Sequence, residues 1–123
     1  WLMKLRFAEN SLRLRLRKSD IAKLREQGFV YATVQFGAHR ALRYKLRMND
    51  VHEIEAYFLD GMIRVCLPEM VARQWMDSDA VSLSREVPLQ NGGSLSILIE
   101  KDFPCQHRNG EDKADTFQEL VAS

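Results

Sequence analysis

Residues 3 to 16, Met3-Lys4-Leu5-Arg6-Phe7-Ala8-Glu9-Asn10-Ser11-Leu12-Arg13-Leu14-Arg15-Leu16, decide how the rest of the chain is read. Leu12, Leu14 and Leu16 alternate with Arg13 and Arg15, and a period of two puts apolar side chains on one face of a strand and charged ones on the other. Glu9-Asn10 interrupts the pattern as a tight turn, so the stretch reads as a hairpin of Met3 to Phe7 with Leu12 to Leu16. A helix over Ile21 to Gln27 follows, with Ser19 or Asp20 as its cap and Gly28 where it stops. Two more strands complete the unit, Val30 to Phe36 and Leu42 to Met48. The last of them alternates Leu42, Tyr44 and Leu46 with Arg43, Lys45 and Arg47.

Residues 52 to 101 return the same order. Phe58 stands for Phe7, Asp60-Gly61 for Glu9-Asn10, Ile63/Val65/Leu67 for Leu12/Leu14/Leu16, and Val71-Ala72-Arg73 for Ile21-Ala22-Lys23. Asp60-Gly61 is a strong hairpin signal, Pro68 lies in the first turn of the second helix, and Asn91-Gly92-Gly93 turns a third hairpin into Leu95, Ile97 and Ile99. A unit this small buries too little surface to stand alone, so two interlocked halves are expected. The expected fold is α+β, a pseudo-twofold β-barrel of two tandem strand-strand-helix-strand-strand repeats, residues 3–48 and 52–101, in one domain spanning 1–123. A polar tail, 102–123, closes the chain, and Ala114 to Ala122 within it can form a short amphipathic helix.

The 123 residues, 46% of them hydrophobic, suit one continuous core. No run approaches the roughly 18 apolar residues of a membrane span, and Trp1-Leu2-Met3-Lys4 lacks the apolar run of a signal peptide. A cytoplasmic protein with no membrane partner is expected. Cys66, in an apolar strand, reads as core filler, and Cys105, in a polar loop, as a second thiol. Met62, Met70, Trp75 and Met76 also read as core. A glycine-rich phosphate loop, a G-x-S-x-G motif and a diagnostic carboxylate pair are all missing from the sequence, so no cofactor is expected and a binding role is favoured over an enzyme.

The net charge of +1 conceals a division. Through residue 48 twelve basic residues oppose three acidic ones, a net +9, whereas from residue 49 onward six oppose fourteen, a net −8. Such asymmetry speaks of partners rather than fold.

Asn10-Ser11-Leu12-Arg13-Leu14-Arg15-Leu16-Arg17-Lys18 and its following helix resemble the N-terminal motif of the AbrB and MazE-type swapped-hairpin barrels. Val65-Cys66-Leu67-Pro68-Glu69-Met70-Val71, with Asp79-Ala80-Val81 beyond it, resembles the same motif a second time, Pro68 standing in its proline slot. In that family two short chains exchange hairpins to form one dimeric barrel that binds DNA, so the resemblance implies a pseudo-dimer within one chain. Three positions depart from the family pattern. Glu9 replaces the turn glycine, Arg17 stands where proline belongs, and Asp60-Gly61 makes the other turn acidic, which weakens the loops that meet phosphate in the family. The whole chain also resembles an uncharacterised bacterial family of small proteins.

Lys4, Arg6, Arg13, Arg15, Arg17, Arg43, Lys45 and Arg47 are the candidate anion-binding residues. If their strands adjoin, they line one wall able to hold nucleic acid or another polyanion. Few aromatics punctuate the basic face, which argues against a single-strand stacking platform. The plainer reading is that the arginines solvate a half-exposed barrel and meet the acidic half across a seam. The same opposition of charge would also serve a protein-interaction or assembly module, by docking on the acidic half of a neighbour. A third reading uses Asp102, Cys105 and His107 as a thiol or metal site. Only His39, His52, Glu111 and Asp112 remain as further donors, and no C-x-x-C or H-x-x-x-H spacing supports it.

Overall fold

The computed structural model describes residues 3–102. In chain order the elements are β1 (Lys4–Ala8), β2 (Ser11–Leu16), α1 (Lys18–Gln27), β3 (Phe29–Gly37), β4 (Arg40–Asn49), β5 (Glu55–Leu59), β6 (Met62–Pro68), α2 (Glu69–Met76), β7 (Ser82–Pro88) and β8 (Ser94–Lys101). The proposed amphipathic helix over 114–122 lies outside the described residues.

The strands form two mixed sheets, β1-β2-β8-β7 (sheet I) and β3-β4-β6-β5 (sheet II). Each sheet takes one hairpin from the first part of the chain and one from the second. The hairpins join at a central parallel pair, β2 with β8 in sheet I and β4 with β6 in sheet II. The two junctions are built alike. The β1–β2 turn gives its Asn10 carbonyl to the Ser96 amide at 3.1 Å, and the β5–β6 turn gives its Gly61 carbonyl to the Arg43 amide at 2.9 Å. Among the described residues the ladder does not run from one sheet into the other, and the protein is α+β with two four-stranded mixed sheets. It stops at the edge strands β1 and β7 of sheet I and β3 and β5 of sheet II, and at β1 and β5 the inward Phe7 and Phe58 stay 59% and 71% exposed.

The core lies between the sheets. Leu12, Leu14, Leu16, Ile97 and Ile99 come from sheet I, and Tyr44, Leu46, Met48, Ile63, Val65 and Leu67 from sheet II. Alternation therefore turns the basic positions of β2 and β4 outward, as the period of two requires. Trp75, Met76 and Cys66 are buried, whereas Met70 is 74% exposed and packs in no core. Met62 is only half-buried, since its position in β6 faces outward.

Local chemistry sets the ends of the elements. Asp60 and Gly61 both have positive φ, 52° and 73°, the pattern of a two-residue type I′ hairpin turn. Gly28 stops α1 in the left-handed region at φ 86°. The helix begins at Lys18, not Ile21, because Arg17 takes the cap position and its amide donates to Asp20 Oδ2 at 2.9 Å. Asp20 is fully buried and also accepts from Arg17 Nε at 3.2 Å. Arg17 is therefore a capping residue and does not continue the outward row of Arg13 and Arg15.

Tyr44 ties the sheets together, its hydroxyl donating to the Met3 carbonyl at 2.6 Å just before β1. Burial raises the Tyr44 pKa above its ordinary 10.0, and the charge of Asp20 raises it further. Because the folded state holds this proton more tightly than the unfolded chain, the stabilisation is complete below pH 10 and fades as pH rises past it. Tyr44→Phe should cost about 1 kcal/mol at neutral pH through the lost hydrogen bond. Chemical denaturation from pH 8 to 11.5 should show that the gap between wild type and variant narrows at the alkaline end; a constant gap would contradict this role.

Candidate anion-binding surface

Of the eight cations expected on one wall, Arg17 caps α1 and the other seven divide between two faces. Lys4, Arg6, Arg13 and Arg15 lie on the outer face of sheet I, with Lys4 opposite Arg15 and Arg6 opposite Arg13. Arg43, Lys45 and Arg47 lie on the outer face of sheet II. Since both inner faces pack on the common core, these two basic faces point away from each other.

The faces differ in what answers the charge. On sheet I the parallel junction seats Glu100 beside Arg15. Arg15 donates to Glu100 Oε1 through Nε at 3.0 Å and Nη2 at 2.9 Å, and Arg13 Nε lies 3.7 Å from the same oxygen. Lys4 Nζ is 3.8 Å from Asp102. Three of the four cations are thus paired with two carboxylates of the acidic half of the same chain, as the plainer reading expects, and Arg25 meets Asp77 across the halves in the same way.

Sheet II carries a different arrangement. Three rows cross its outer face: Phe29, Arg47, Cys66 and Glu55; then Tyr31, Lys45, Arg64 and Tyr57; then Thr33, Arg43, Met62 and Leu59. Arg64 belongs to the acidic half, yet the register sets it next to Lys45. Among the described residues none of Arg43, Lys45, Arg47 and Arg64 forms an ion pair with a carboxylate. Glu55 is the one acid in the three rows, and it accepts from the Tyr57 hydroxyl at 2.7 Å. That bond, foremost, raises the Tyr57 pKa above 10.0. Lys45 Nζ sits 4.4 Å over the Phe29 ring, and Arg64 Nη2 reaches only Met62 Sδ, at 3.4 Å.

The aromatics were not legible as part of this face. Tyr31 and Tyr57, 54% and 53% exposed, sit on the edge strands β3 and β5 and flank the central cations. Phe29 stacks on Tyr31 with ring centroids 6.4 Å apart. The basic face was expected to carry few aromatics, and on sheet II it does not: pairing with β3 and β5 brings in Phe29, Tyr31 and Tyr57. Arg64 was missed because its strand lies in the acidic half.

Of the thiol or metal candidates, Cys105 and His107 lie outside the described residues. Asp102 pairs with Lys4 and donates its amide to the Leu16 carbonyl at 2.8 Å. Among the described residues no three His, Cys, Asp or Glu side chains cluster to hold a metal. An apolar cleft of ≈ 490 Å³ opens between the sheets where the ladder stops, lined by Phe7, Leu12, Leu42, Phe58, Ile63 and Leu95 among others. No described helix is long and apolar enough to cross a membrane.

What the fold and surface define is an α+β protein of two mixed sheets with one basic face on which Arg43, Lys45, Arg47 and Arg64 pair with no carboxylate among the described residues. Residues 3–120 match a family of unknown function (DUF7009), and the chain belongs to that family. No curated protein and no solved structure matches it.

Glu100 is the control on sheet I. Glu100→Gln should cost about 1 kcal/mol of stability and release Arg13 and Arg15, so heparin retention at low salt should rise above wild type. Unchanged retention would mean that those arginines are not masked by Glu100.

Proposed function

We propose that the protein is a non-enzymatic binding module that holds nucleic acid or another polyanion on the outer face of sheet II, and that its halves are two copies of one AbrB-like, hairpin-exchanging unit arranged as a pseudo-twofold barrel. The observation that carries the binding reading is the contrast between the sheets: Glu100 and Asp102 answer three of the four cations of sheet I, and no described carboxylate pairs with Arg43, Lys45, Arg47 or Arg64. Lys45 and Arg64 are directly paired like charges, which destabilises a sheet unless an anion lies between them. The repeated element order and the two equivalent parallel junctions support the copied unit. The partner recognised here is the phosphate backbone or its equivalent, which positions a protein without reading sequence.

Assembly through opposite charges is the weaker reading, because Lys4, Arg13, Arg15 and Arg25 already engage acids of their own chain. The binding reading predicts which arginines matter. Arg43→Gln with Arg64→Gln should lower affinity for duplex DNA of any sequence and reduce the slope of log K against log salt by about 2, near 0.9 for each lost phosphate contact. Arg13→Gln with Arg15→Gln should leave both nearly unchanged. Equal losses from the two pairs, or no binding by the wild type at about 50 mM salt, would reject this face as the site.

A further inference from the structure

Resting on the sheet II face just described, we infer that its ligand is single-stranded nucleic acid, with bases stacked on Tyr31 and Tyr57 and the backbone held by the cations between them. A face built only for phosphate needs cations; this one brackets its central pair with two tyrosines in the same cross-strand row, Tyr31, Lys45, Arg64 and Tyr57. Both rings are more than half exposed, so neither contributes to the core between the sheets. Strands lie about 4.8 Å apart, so the two tyrosines stand roughly 14 Å from each other, three strand spacings across the sheet. A splayed single strand can cross that distance and offer a base to each ring.

The surroundings favour presentation of the rings. The Tyr57 hydroxyl is bonded to Glu55 at 2.7 Å, which fixes one end of the phenol while the residue stays 53% exposed. Tyr31 is braced by Phe29, and Phe29 by Lys45 at 4.4 Å. Stacking platforms with interleaved cations bind single strands with little sequence preference because every base has a π-face. A duplex keeps its bases stacked on each other and would leave both tyrosines idle.

The two claims on this face separate in one titration series. A fluorescent deoxythymidine oligomer of about 12 nucleotides offers phosphates and bases, and inorganic polyphosphate of matched charge offers the charge alone. Tyr31→Ala and Tyr57→Ala should each weaken oligomer binding about tenfold, the size of one lost base stack, and change polyphosphate binding less than about twofold on the same scale. Tyr31→Phe and Tyr57→Phe should restore most of the oligomer affinity, which a merely structural role of the hydroxyls would not allow. Arg43→Gln with Arg64→Gln should weaken both probes. If the alanine variants bind the oligomer as wild type does, or if a duplex of the same length binds more tightly than the single strand, the stacking inference falls and the polyanion reading stands. If the arginine variants bind both probes as wild type does, both fall.

Discussion

Everything in this molecule depends on the two parallel junctions, β2 against β8 and β4 against β6. A two-stranded hairpin is at best marginal in water, and none of the four hairpins here pairs with the other hairpin of its own half. Each becomes part of a stable sheet only by joining a hairpin from the other half of the chain. The exchange buries Leu12, Leu14 and Leu16 against β8, and Leu46 and Met48 against β6. It also makes the core common to both halves, so that neither can be removed without stripping a sheet of its centre.

The same junctions decide the electrostatics. A one-residue change of register would send every side chain of a strand to the other face, so the hydrophobic demand of the core fixes which charges meet outside. In sheet I it delivers Glu100 to Arg15, a favourable pair. In sheet II it delivers Arg64 to Lys45, an unfavourable one. The chain tolerates this repulsion where the opposite face is well packed by Leu46 and Val65, both completely buried. The result is one basic face whose cations are largely paired with acids and one whose cations pair with no described carboxylate, a distinction hidden in the overall net charge of +1.

Much of the fold was legible because alternation and turn chemistry are local. The Leu/Arg alternation of β2 and β4, the Asp60-Gly61 turn and the stop at Gly28 are properties of neighbouring residues, and the structure has each of them in place. Which sheet each strand joins is not local, so Arg13 and Arg43, alike in sequence, end on faces that point apart. The start of α1 was misplaced because Asp20 accepts from Arg17, three residues back, and an arginine in the cap position carries no usual capping signal. Closure into one barrel was expected from the repeat, but it depends on whether the edge strands β1 and β7 of sheet I reach β3 and β5 of sheet II, which no local pattern dictates. The candidate face was only half legible, since Tyr31, Tyr57 and Arg64 join it through cross-strand register alone.

The most direct measurement is a map of backbone amide chemical shifts during titration with a single-stranded oligonucleotide. A binding surface on sheet II requires the largest changes at Tyr31, Lys45, Arg64 and Tyr57, with Arg13, Arg15 and their neighbours in β1 and β2 nearly still. Changes centred on β1 and β2, or none at all, would contradict it.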